Sequence, residues 1–510
     1  MGRLGIVLGC AAIALAVLAP SAGAATITVD VPQDDGDGGF DDIGCSVRDA
    51  VQSANTNTAV SFCDTTTTGA FTAAPDTILL QGGQTHVLTI DNDDGDGVGG
   101  EDDNVSGDID IEGPVTITAT GTGLATIDQD DNNFSAGTPN FEIRDRVFHV
   151  EANAGAVTFN RLRITGGVAG NGGPVFGIPF LGGGGILAEG PLTITDSEIV
   201  DNMAREYNVN FSATGGGIMV RGASARLTMT GSTVADNLVE TADDFGSGSA
   251  IGGGIAAFPV TNGQPPPQGV DITNSTISGN RSVGTVAGHQ GVIGGIFGAN
   301  GPAPGNNKTT VNLTNVTVTD NQATAVTPAN GAIGGVQVAQ GTTTGSVIAG
   351  NTDSDTASSF DDCGLSNTSG GGNLIGRPAS TGACAYAGPN DLTGTSATPL
   401  NPNVGNLLLN GGLTRTHAPN PGSPAINRGG SCPATDQTGL FRYIAPPCDA
   451  GALEIGATAT PPPAPPAAPQ PTVAPPGPTG QRAAALKKCK KKKSAQARKK
   501  CKKNANKLPI

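Results

Sequence analysis

The chain has few aromatic residues, with no Trp, 3 Tyr and 15 Phe among 510 residues, whereas Gly and Pro are abundant at 78 and 36. This composition suits the thin core of a solenoid, filled by Val, Ile, Leu and Ala. Length alone would allow about three domains. One long solenoid with caps accounts for the same residues equally well.

Three further absences argue against whole classes of site. The sequence has no C-x-x-C pair and no Cys/His cluster, so a zinc site is not expected. Its glycine triplets lack the Lys and the strand–helix setting of a phosphate-binding loop. Beyond the N-terminus, no apolar stretch is long enough to suggest a membrane span.

What the chain does contain is an internal repeat over residues 181–351. Four copies, and a weaker fifth, run from a GGGI or IGGI segment through alternating apolar residues and Thr to a terminal Asn. The terminal asparagines lie 30 to 43 residues apart. Self-similarity at such a period indicates stacked units rather than one globular core.

Each unit predicts short β-strands. In the first unit, Leu192 and Ile194 alternate with Thr193 and Thr195, which is a period of two. Strands this short bury an apolar face only by stacking on copies of themselves, about 4.8 Å apart. Because no helices separate the units, we predict an all-β fold, a parallel β-helix with repeats over 116–351. A right-handed coil is expected, since parallel crossovers favour that hand.

The terminal asparagines predict a structural ladder at one corner of the coil. An inward Asn can bond the backbone of the next rung, and stacked copies satisfy one another. The alternative is a row of amides that binds a sugar. The residues concerned are Asn202, Asn237, Asn280, Asn321 and Asn351.

The N-terminus predicts export. Arg3 precedes an apolar stretch over 4–19, and Ala22-Gly23-Ala24 is an A-x-A cleavage site, so residues 1–24 are interpreted as a signal peptide. Eight cysteines remain after Cys10 is set aside, and an even count in an exported chain indicates disulfides. Connectivity stays open, but we expect pairing between sequence neighbours: Cys45 with Cys63, Cys363 with Cys384, Cys432 with Cys448, and Cys489 with Cys501.

Residues 25–115 are interpreted as an N-terminal cap. The segment 44–55 predicts a short helix, with Ser46 as N-cap and Val47, Ala50 and Val51 on one face. Such a helix would cover the open first rung and prevent edge-to-edge pairing.

The segment CSVRDAV resembles the CSLREA signature of a family of exported bacterial repeat proteins. The later DTILL, GDIDI, DRVFHV and LRITGG segments are also similar to that family. Val47 stands in place of Leu and Asp49 in place of Glu. The resemblance implies a secreted β-helix.

An acidic run over 91–104 predicts a calcium loop. Asn92, Asp94, Asp96 and Asp103 match the N-x-D-x-D-G-x5-D spacing, with Asp in place of the final Glu. The alternative is a solvated acidic loop, because flanking EF-hand helices are missing. Calcium is the one cofactor that the sequence suggests.

The C-terminal third departs from the repeat. PGSPAINRG, TDQTG and CDAGALE resemble the choice-of-anchor module of exported bacterial proteins, which implies an end cap over 352–456 next to a surface-attachment segment. A Pro-rich linker over 457–480 follows.

Residues 481–510 carry 13 Lys and Arg and no acid, so the rest of the −16 chain carries −29. We expect a disordered tail that binds an anionic cell-wall polymer or acidic polysaccharide. The alternative is a solvated tail without a partner. Nucleic acid is not expected, because the tail lacks aromatic residues for stacking.

These observations predict a monomeric, secreted, cell-surface protein with a structural or adhesive role. No catalytic residue is predicted. The alternative is a polysaccharide lyase or hydrolase, which needs a base or paired carboxylates on adjacent rungs. The densest polar cluster, Arg144, Asp145, Arg146 and His149, is interpreted as part of a strand. Acids clustered with Arg or Lys across rungs would favour the enzyme, and a Thr/Ser face would favour the scaffold.

Overall fold

The computed structural model describes residues 24–34, 44–71, 75–90, 104, 107–129, 145–170, 180–206, 212–241, 248–259, 265–284, 290–299, 308–325, 332–353, 362–364, 367–378, 384, 386–395, 397–443, 447–460 and 480–508. Residues up to 461 form one unit and residues 462–510 a second. The signal peptide, apart from Ala24, lies outside the described residues, as does most of the Pro-rich linker.

Five long sheets wind through the first unit, and their strands are numbered in chain order. Sheet 1 contains β5 (Ile109–Ile111), β8 (Phe148–Val150), β13 (Ile186–Ala188), β18 (Ile218–Arg221), β23 (Ile255–Phe258), β28 (Ile296–Gly298) and β32 (Val336–Val338). Sheet 2 contains β2 (Thr67–Thr68), β1 (Thr26–Thr28), β3 (Asp76–Gln81), β6 (Val115–Thr120), β9 (Val157–Asn160), β14 (Pro191–Thr195), β19 (Arg226–Thr230), β24 (Gly269–Thr273), β29 (Val311–Thr314), β33 (Thr342–Thr344) and β36 (Thr368–Gly371).

Sheet 3 contains β4 (Thr85–Leu88), β7 (Ala125–Gln129), β10 (Leu162–Thr165), β15 (Glu198–Val200), β20 (Thr233–Ala235), β25 (Thr276–Ser278), β30 (Thr317–Thr319), β34 (Val347–Ile348), β37 (Leu374–Ile375) and β38 (Leu392–Thr393). Sheet 4 contains β11 (Val168–Gly170), β16 (Met203–Glu206), β21 (Leu238–Thr241), β26 (Arg281–Gly284), β31 (Gln322–Ala325) and β35 (Thr352–Asp353). Sheet 5 contains β12 (Phe180–Gly182), β17 (Ser212–Thr214), β22 (Ser249–Ile251) and β27 (Gln290–Ile293).

One turn of the coil visits the five sheets in order, as β13, β14, β15, β16 and β17 show. Strands in consecutive turns pair in parallel and in register, so that Leu192 lies beside Leu227 and Ile194 beside Met229. Only β1–β2 is antiparallel among these five sheets. The predicted parallel β-helix is therefore confirmed, while its right hand stays a prediction.

The alternation of apolar residues and Thr sets which side chains face inward. In β14, Leu192 and Ile194 are buried while Thr193 and Thr195 are half-buried. Inward residues of sheets 1, 2 and 3 stack into one long apolar core, which includes Ile194 and Met229. A smaller alanine-rich core, with Ala204 and Ala213 in it, joins sheets 4 and 5. The turns that contribute strands to both sheets 4 and 5, from β11 to β27, therefore have a main lobe and a side lobe.

A helix covers the N-terminal edge of sheet 1. Helix α1 (Val47–Thr56) begins at Ser46, whose side chain forms a capping box with Asp49. The Asn55 amide accepts from the backbone N of Glu112 at 3.0 Å and donates to the carbonyl of Asp110 at 2.8 Å. These bonds occupy the edge of β5 that no strand pairs with, so α1 serves as the expected N-terminal cap. A short helix, α2 (Cys63–Thr66), follows it.

The C-terminal module does not lie only at the end of the coil, where we expected it. Strands β36, β37 and β38 extend sheets 2 and 3 to residue 393. The chain then turns back as an antiparallel hairpin of β39 (Val404–Leu409) and β40 (Arg415–Pro419), which packs along the outside of sheet 3. Arg415 reaches Glu198 there, with 3.2 Å between Nε and Oε1. Unpaired polar groups on both surfaces satisfy one another, which gives the physical reason for this placement.

The expectation of a disordered C-terminal tail was wrong for residues 480–508. They form two helices, α3 (Gly480–Lys490) and α4 (Ala495–Ala505), and the Ser494 side chain accepts from the N–H of Ala497 to cap α4. Ala, Lys, Arg and Gln are good helix formers. A disulfide between Cys489 and Cys501 closes the hairpin, and this offsets the repulsion between neighbouring lysines.

All four disulfides join sequence neighbours. Cys45 bonds Cys63 between α1 and α2, and the other pairs are Cys363 with Cys384, Cys432 with Cys448, and Cys489 with Cys501. Among the described residues, no helix is both long and apolar enough to cross a bilayer.

Candidate functional site

The five terminal asparagines form a continuous row of hydrogen bonds. Each Nδ2 donates to the Oδ1 of the next Asn, at 3.0 Å from Asn202 to Asn237 and 2.8 Å from Asn321 to Asn351. The backbone N–H of each residue donates to the same oxygen, as from Asn237 to Asn280 at 3.2 Å. The row ends where Asn351 donates to Asp362 at 2.8 Å.

The environment of this row leaves no amide for a ligand. The second Nδ2 proton of each Asn goes to a backbone carbonyl of the preceding rung, such as Ile164 O for Asn202 at 3.1 Å. The five residues are at most 3% exposed. The residue before the Asn has a positive φ, as at Asp201, Asp236 and Asp320, so the chain turns sharply inward there. The row is a structural ladder rather than a sugar-binding surface.

A second ladder, built from serine, was missed in the sequence. The backbone N–H of Ser197 donates to the hydroxyl of Ser232 at 3.1 Å, and that of Ser232 to Ser275 at 3.2 Å. Val316 occupies the next position and interrupts the row, which resumes at Ser346. The sequence pattern that marks this ladder is a Ser placed between a residue of positive φ (Asp196, Gly231 or Asn274) and the first residue of a buried strand.

The glycine triplets have a steric role. A Cβ built on Gly216 would lie 2.5 Å from the carbonyl oxygen of Gly253 on the next rung, and one on Gly253 would lie 2.5 Å from that of Gly294. No larger residue fits such a contact without moving the backbone. The glycines therefore allow the backbones of successive turns to approach closely, and their geometry gives no support to a phosphate site.

The predicted calcium-loop residues Asn92, Asp94, Asp96 and Asp103 lie outside the described residues. The calcium site stays a prediction. Asn104, the last residue of the acidic run, is buried and donates its backbone N–H to Asp110 Oδ2 at 3.3 Å.

Charged residues from four rungs meet on the outer face of sheet 1. We call this group the His149 cluster, and its members are Asp108, Asp110, Asp145, Arg146, His149, Glu151, Glu189 and Arg221. Strand register brings its centre together, because Asp110 in β5 pairs directly with His149 in β8. His149 Nδ1 lies 3.1 Å from Asp110 Oδ1 and 3.4 Å from Glu151 Oε1.

The remaining members hold this centre in place. Arg146 Nη1 donates to Asp108 Oδ2 at 3.0 Å, and Arg221 Nε donates to Glu189 Oε1 at 2.7 Å. Glu189 Oε2 lies 3.6 Å from His149 Nε2, which is within ion-pair range but beyond hydrogen-bonding distance. In the next strands of sheet 1, the residues that align with His149 are Leu187 and Met219. These two residues belong to a separate apolar cluster.

Burial and charge shift the protonation of these groups strongly. Burial by itself would lower the pKa of His149, but the contacts with Asp110 and Glu189 outweigh it and raise the pKa to about 10. Burial likewise opposes ionisation of Glu189, yet His149 and Arg221 lower its pKa to about 2. Burial, and next the Asp145 charge, raise the pKa of Asp108 well above its usual range. Without a bound cation, His149 is therefore protonated at neutral pH.

Sequence reasoning found only part of this cluster. The sequence pattern grouped Asp145, Arg146 and His149 with Arg144, which lies outside the described residues. The other five members, Asp108, Asp110, Glu151, Glu189 and Arg221, were missed. The available signal was that Asp110 is the middle residue of β5 (IDI), as His149 is the middle residue of β8 (FHV). Reading it required the register between rungs 39 residues apart.

The basic segment presents its charge on a folded surface. Its lysines and arginines are mostly exposed along α3 and α4, and Cys489 and Ala505 are the only buried residues of the two helices. Such a hairpin can bind polyanions through many weak, salt-sensitive contacts.

Comparison with family models, curated proteins and solved structures gives no match to this chain. The fold alone defines the class, a disulfide-bonded parallel β-helix protein with a separate cationic helical hairpin.

Proposed function

We propose that this protein is secreted and held at the cell surface, where the β-helix has a structural or adhesive role. The observation that carries the proposal is the charge division between a −29 body and a basic segment with 13 positive charges. The hairpin would bind an anionic cell-wall polymer or acidic polysaccharide. The Pro-rich spacer would keep the acidic body away from the same surface.

Three further features support this assignment. The N-terminal segment has the pattern of a signal peptide, and four disulfides are typical of proteins in oxidising compartments. The resemblance of CSVRDAV to the CSLREA signature, and of residues 421–454 to a choice-of-anchor module, agrees with an exported surface protein.

The test compares three proteins on isolated cell walls and on polygalacturonate, with neutral dextran as the control polymer. They are the full-length protein, a version ending at Gly456, and a full-length variant with the lysines of α3 and α4 changed to glutamine. We expect only the unaltered protein to bind, and binding to fall steeply as salt rises. Wall binding by the truncated protein, or resistance of the intact protein to high salt, would mean that attachment lies in the 421–454 module or in a covalent link, and that the electrostatic proposal fails.

A polysaccharide-active enzyme is the second candidate, because the His149 cluster places acids and arginines on four adjacent rungs. Two observations weigh against it. Asp108 and Asp110 are buried, and the raised pKa of His149 together with the lowered pKa of Glu189 favours an ion pair between them over a free base. Incubation with a panel of acidic glycans, scored for new reducing ends or unsaturated products, tests this candidate. Cleavage that Glu189→Gln abolishes would establish the enzyme.

A further inference from the structure

The centre of the His149 cluster has the atoms of a metal site. Asp108, Asp110 and His149 each offer one ligand atom, and these three atoms lie within 4.8 Å of one another. The three residues are at most 6% exposed. Two ligands of one tetrahedral ion, each about 2.1 Å from it, are about 3.4 Å apart. The His149 Nδ1 distances of 3.1 Å to Asp110 and 3.4 Å to Glu151 match this spacing.

The cluster also has an excess of negative charge. Five acidic side chains, those of Asp108, Asp110, Asp145, Glu151 and Glu189, face three basic groups, which are Arg146, Arg221 and the protonated His149. Arg48 lies close by but pairs with Asp34 at 3.1 Å. Buried carboxylates repel one another unless cations neutralise them, so a divalent ion would stabilise this arrangement.

The second ring nitrogen of His149 is an independent indication. Nε2 is buried and makes no hydrogen bond, and Glu189 Oε2 lies 3.6 Å away. When a metal binds one ring nitrogen, the other carries a proton that usually points to a carboxylate. Glu189 is in that position and is itself held by Arg221 at 2.7 Å. In the same way, Arg146 donates to Asp108, and the backbone N–H of Asn104 donates to Asp110.

We propose that Asp108, Asp110 and His149 Nδ1 bind one divalent cation of the zinc or manganese class, with Glu151 beside the fourth position. The ion takes the place of the Nδ1 proton. One nitrogen with two or three carboxylate oxygens suits these ions, whereas calcium and magnesium prefer oxygen ligands alone. The ion would link β5 to β8 beneath α1, the helix that forms the N-terminal cap.

The experiment uses the full-length protein after treatment with a chelator and dialysis. Zn²⁺, Mn²⁺, Ca²⁺ and Mg²⁺ are titrated separately by calorimetry, and the thermal midpoint is measured with each ion. We expect one Zn²⁺ or Mn²⁺ per chain and a raised midpoint, and both effects should depend on His149. An effect of Ca²⁺ at the predicted loop of residues 92–103 would not depend on His149. The four disulfides leave the eight paired cysteines unable to compete as thiolates.

Four variants locate the ion. His149→Gln should abolish binding, and Glu189→Gln should weaken it by about 10–100-fold, as loss of an outer-shell partner does. Glu151→Gln, whose side chain is 32% exposed, should lower affinity with little risk to the fold. His86→Gln is the matched control, because His86 is a buried histidine outside the cluster, and it should leave binding unchanged.

Circular dichroism of each variant separates loss of binding from loss of fold, and ¹⁵N-histidine spectra show whether zinc shifts the His149 ring. If neither Zn²⁺ nor Mn²⁺ binds the wild type at one per chain, His149 is only an imidazolium that holds the carboxylates together. If His149→Gln and Glu151→Gln both fold and bind zinc like the wild type, the ion lies elsewhere. Either result overturns the proposal, and neither affects the role of the basic hairpin.

Discussion

At the residue scale, the asparagine ladder shows how a buried polar side chain can stabilise this fold. Each Asn uses both amide protons, and the oxygens of the four later residues each accept twice. The oxygen of Asn202, the first residue of the row, accepts from the N–H of Gly167, so no polar atom of these side chains is left without a partner. Buried amides that are satisfied in this way stabilise the stacking of successive rungs. The ladder therefore also fixes the register of the corner.

Replacing a ladder residue should be costly. Asn280→Leu removes the acceptor of Asn237 and the donor to Asn321, and we expect a loss of about 1–3 kcal/mol in the free energy of unfolding. Urea unfolding followed by circular dichroism measures it. Thr228→Leu, on the half-buried outer face, is the control and should be nearly neutral. Equal effects of the two substitutions would contradict the ladder.

The interruption of the serine ladder at Val316 provides a second prediction. Serine there would accept from the N–H of Ser275 and donate to Thr314 O, as Ser232 does for its neighbours. Two hydrogen bonds of about 1 kcal/mol each would offset the lost apolar burial. Val316→Ser should thus cost about 2 kcal/mol less than Val318→Ser, which buries a hydroxyl outside the ladder. A difference near zero in urea titrations would refute this.

At the element scale, Arg442 connects the C-terminal module to the coil. It is fully buried, and its guanidinium donates to Asn274 of the solenoid at 3.1 Å and to Glu454 of the module at 3.3 Å. Arg442→Met leaves Glu454 buried without its partner and should cost about 3–5 kcal/mol. The double variant Arg442→Met, Glu454→Gln should recover part of the loss in the same unfolding assay. A single-variant cost below about 1 kcal/mol would contradict this role.

The β39–β40 hairpin should weaken in acid. His417 in β40 contacts Gly405 O at 2.7 Å and Ser278 Oγ at 2.8 Å, and Asp320 and Asp236 are the charged groups that face it from the solenoid. Burial lowers the pKa of His417 despite the opposing effects of Gly405 and the two carboxylates. The pKa of His417 is lower in the folded than in the unfolded state. The stabilisation that neutral His417 provides is therefore complete above pH ~6.5 and is lost as the pH falls below that value.

Proteolysis of the hairpin at pH 7.5 and pH 5 measures this effect. We expect faster cleavage near residues 404–419 at pH 5, and no such acceleration in His417→Gln. Burial also lowers the pKa of His86, so His86→Gln is the control for acid effects elsewhere in the coil. If acid sensitivity survives in His417→Gln but disappears in His86→Gln, His86 rather than His417 causes the effect and the prediction is wrong.

At the scale of the whole molecule, the coil should behave as a one-dimensional array in which each rung depends on its neighbours. Amide exchange should be slowest in β19, β24 and β29, where both the apolar core and the asparagine ladder continue on either side. It should be faster in β38 and in the β39–β40 hairpin, which have few neighbours. Mass spectrometry of exchanged peptides tests this, and uniform protection along the chain would argue against it.

The sequence by itself determined the parallel coil, because alternating Leu, Ile and Thr and the recurring glycine segment are local signals that each rung repeats. It also marked the asparagine row, since one residue type recurs at one corner. Only the tertiary structure decided the rest. Asp110 meets His149 because two unequal rungs align in register, and Arg415 meets Glu198 across a separation of 217 residues. No local pattern encodes such contacts, because they depend on where the chain turns back and on which polar surfaces are left to pair.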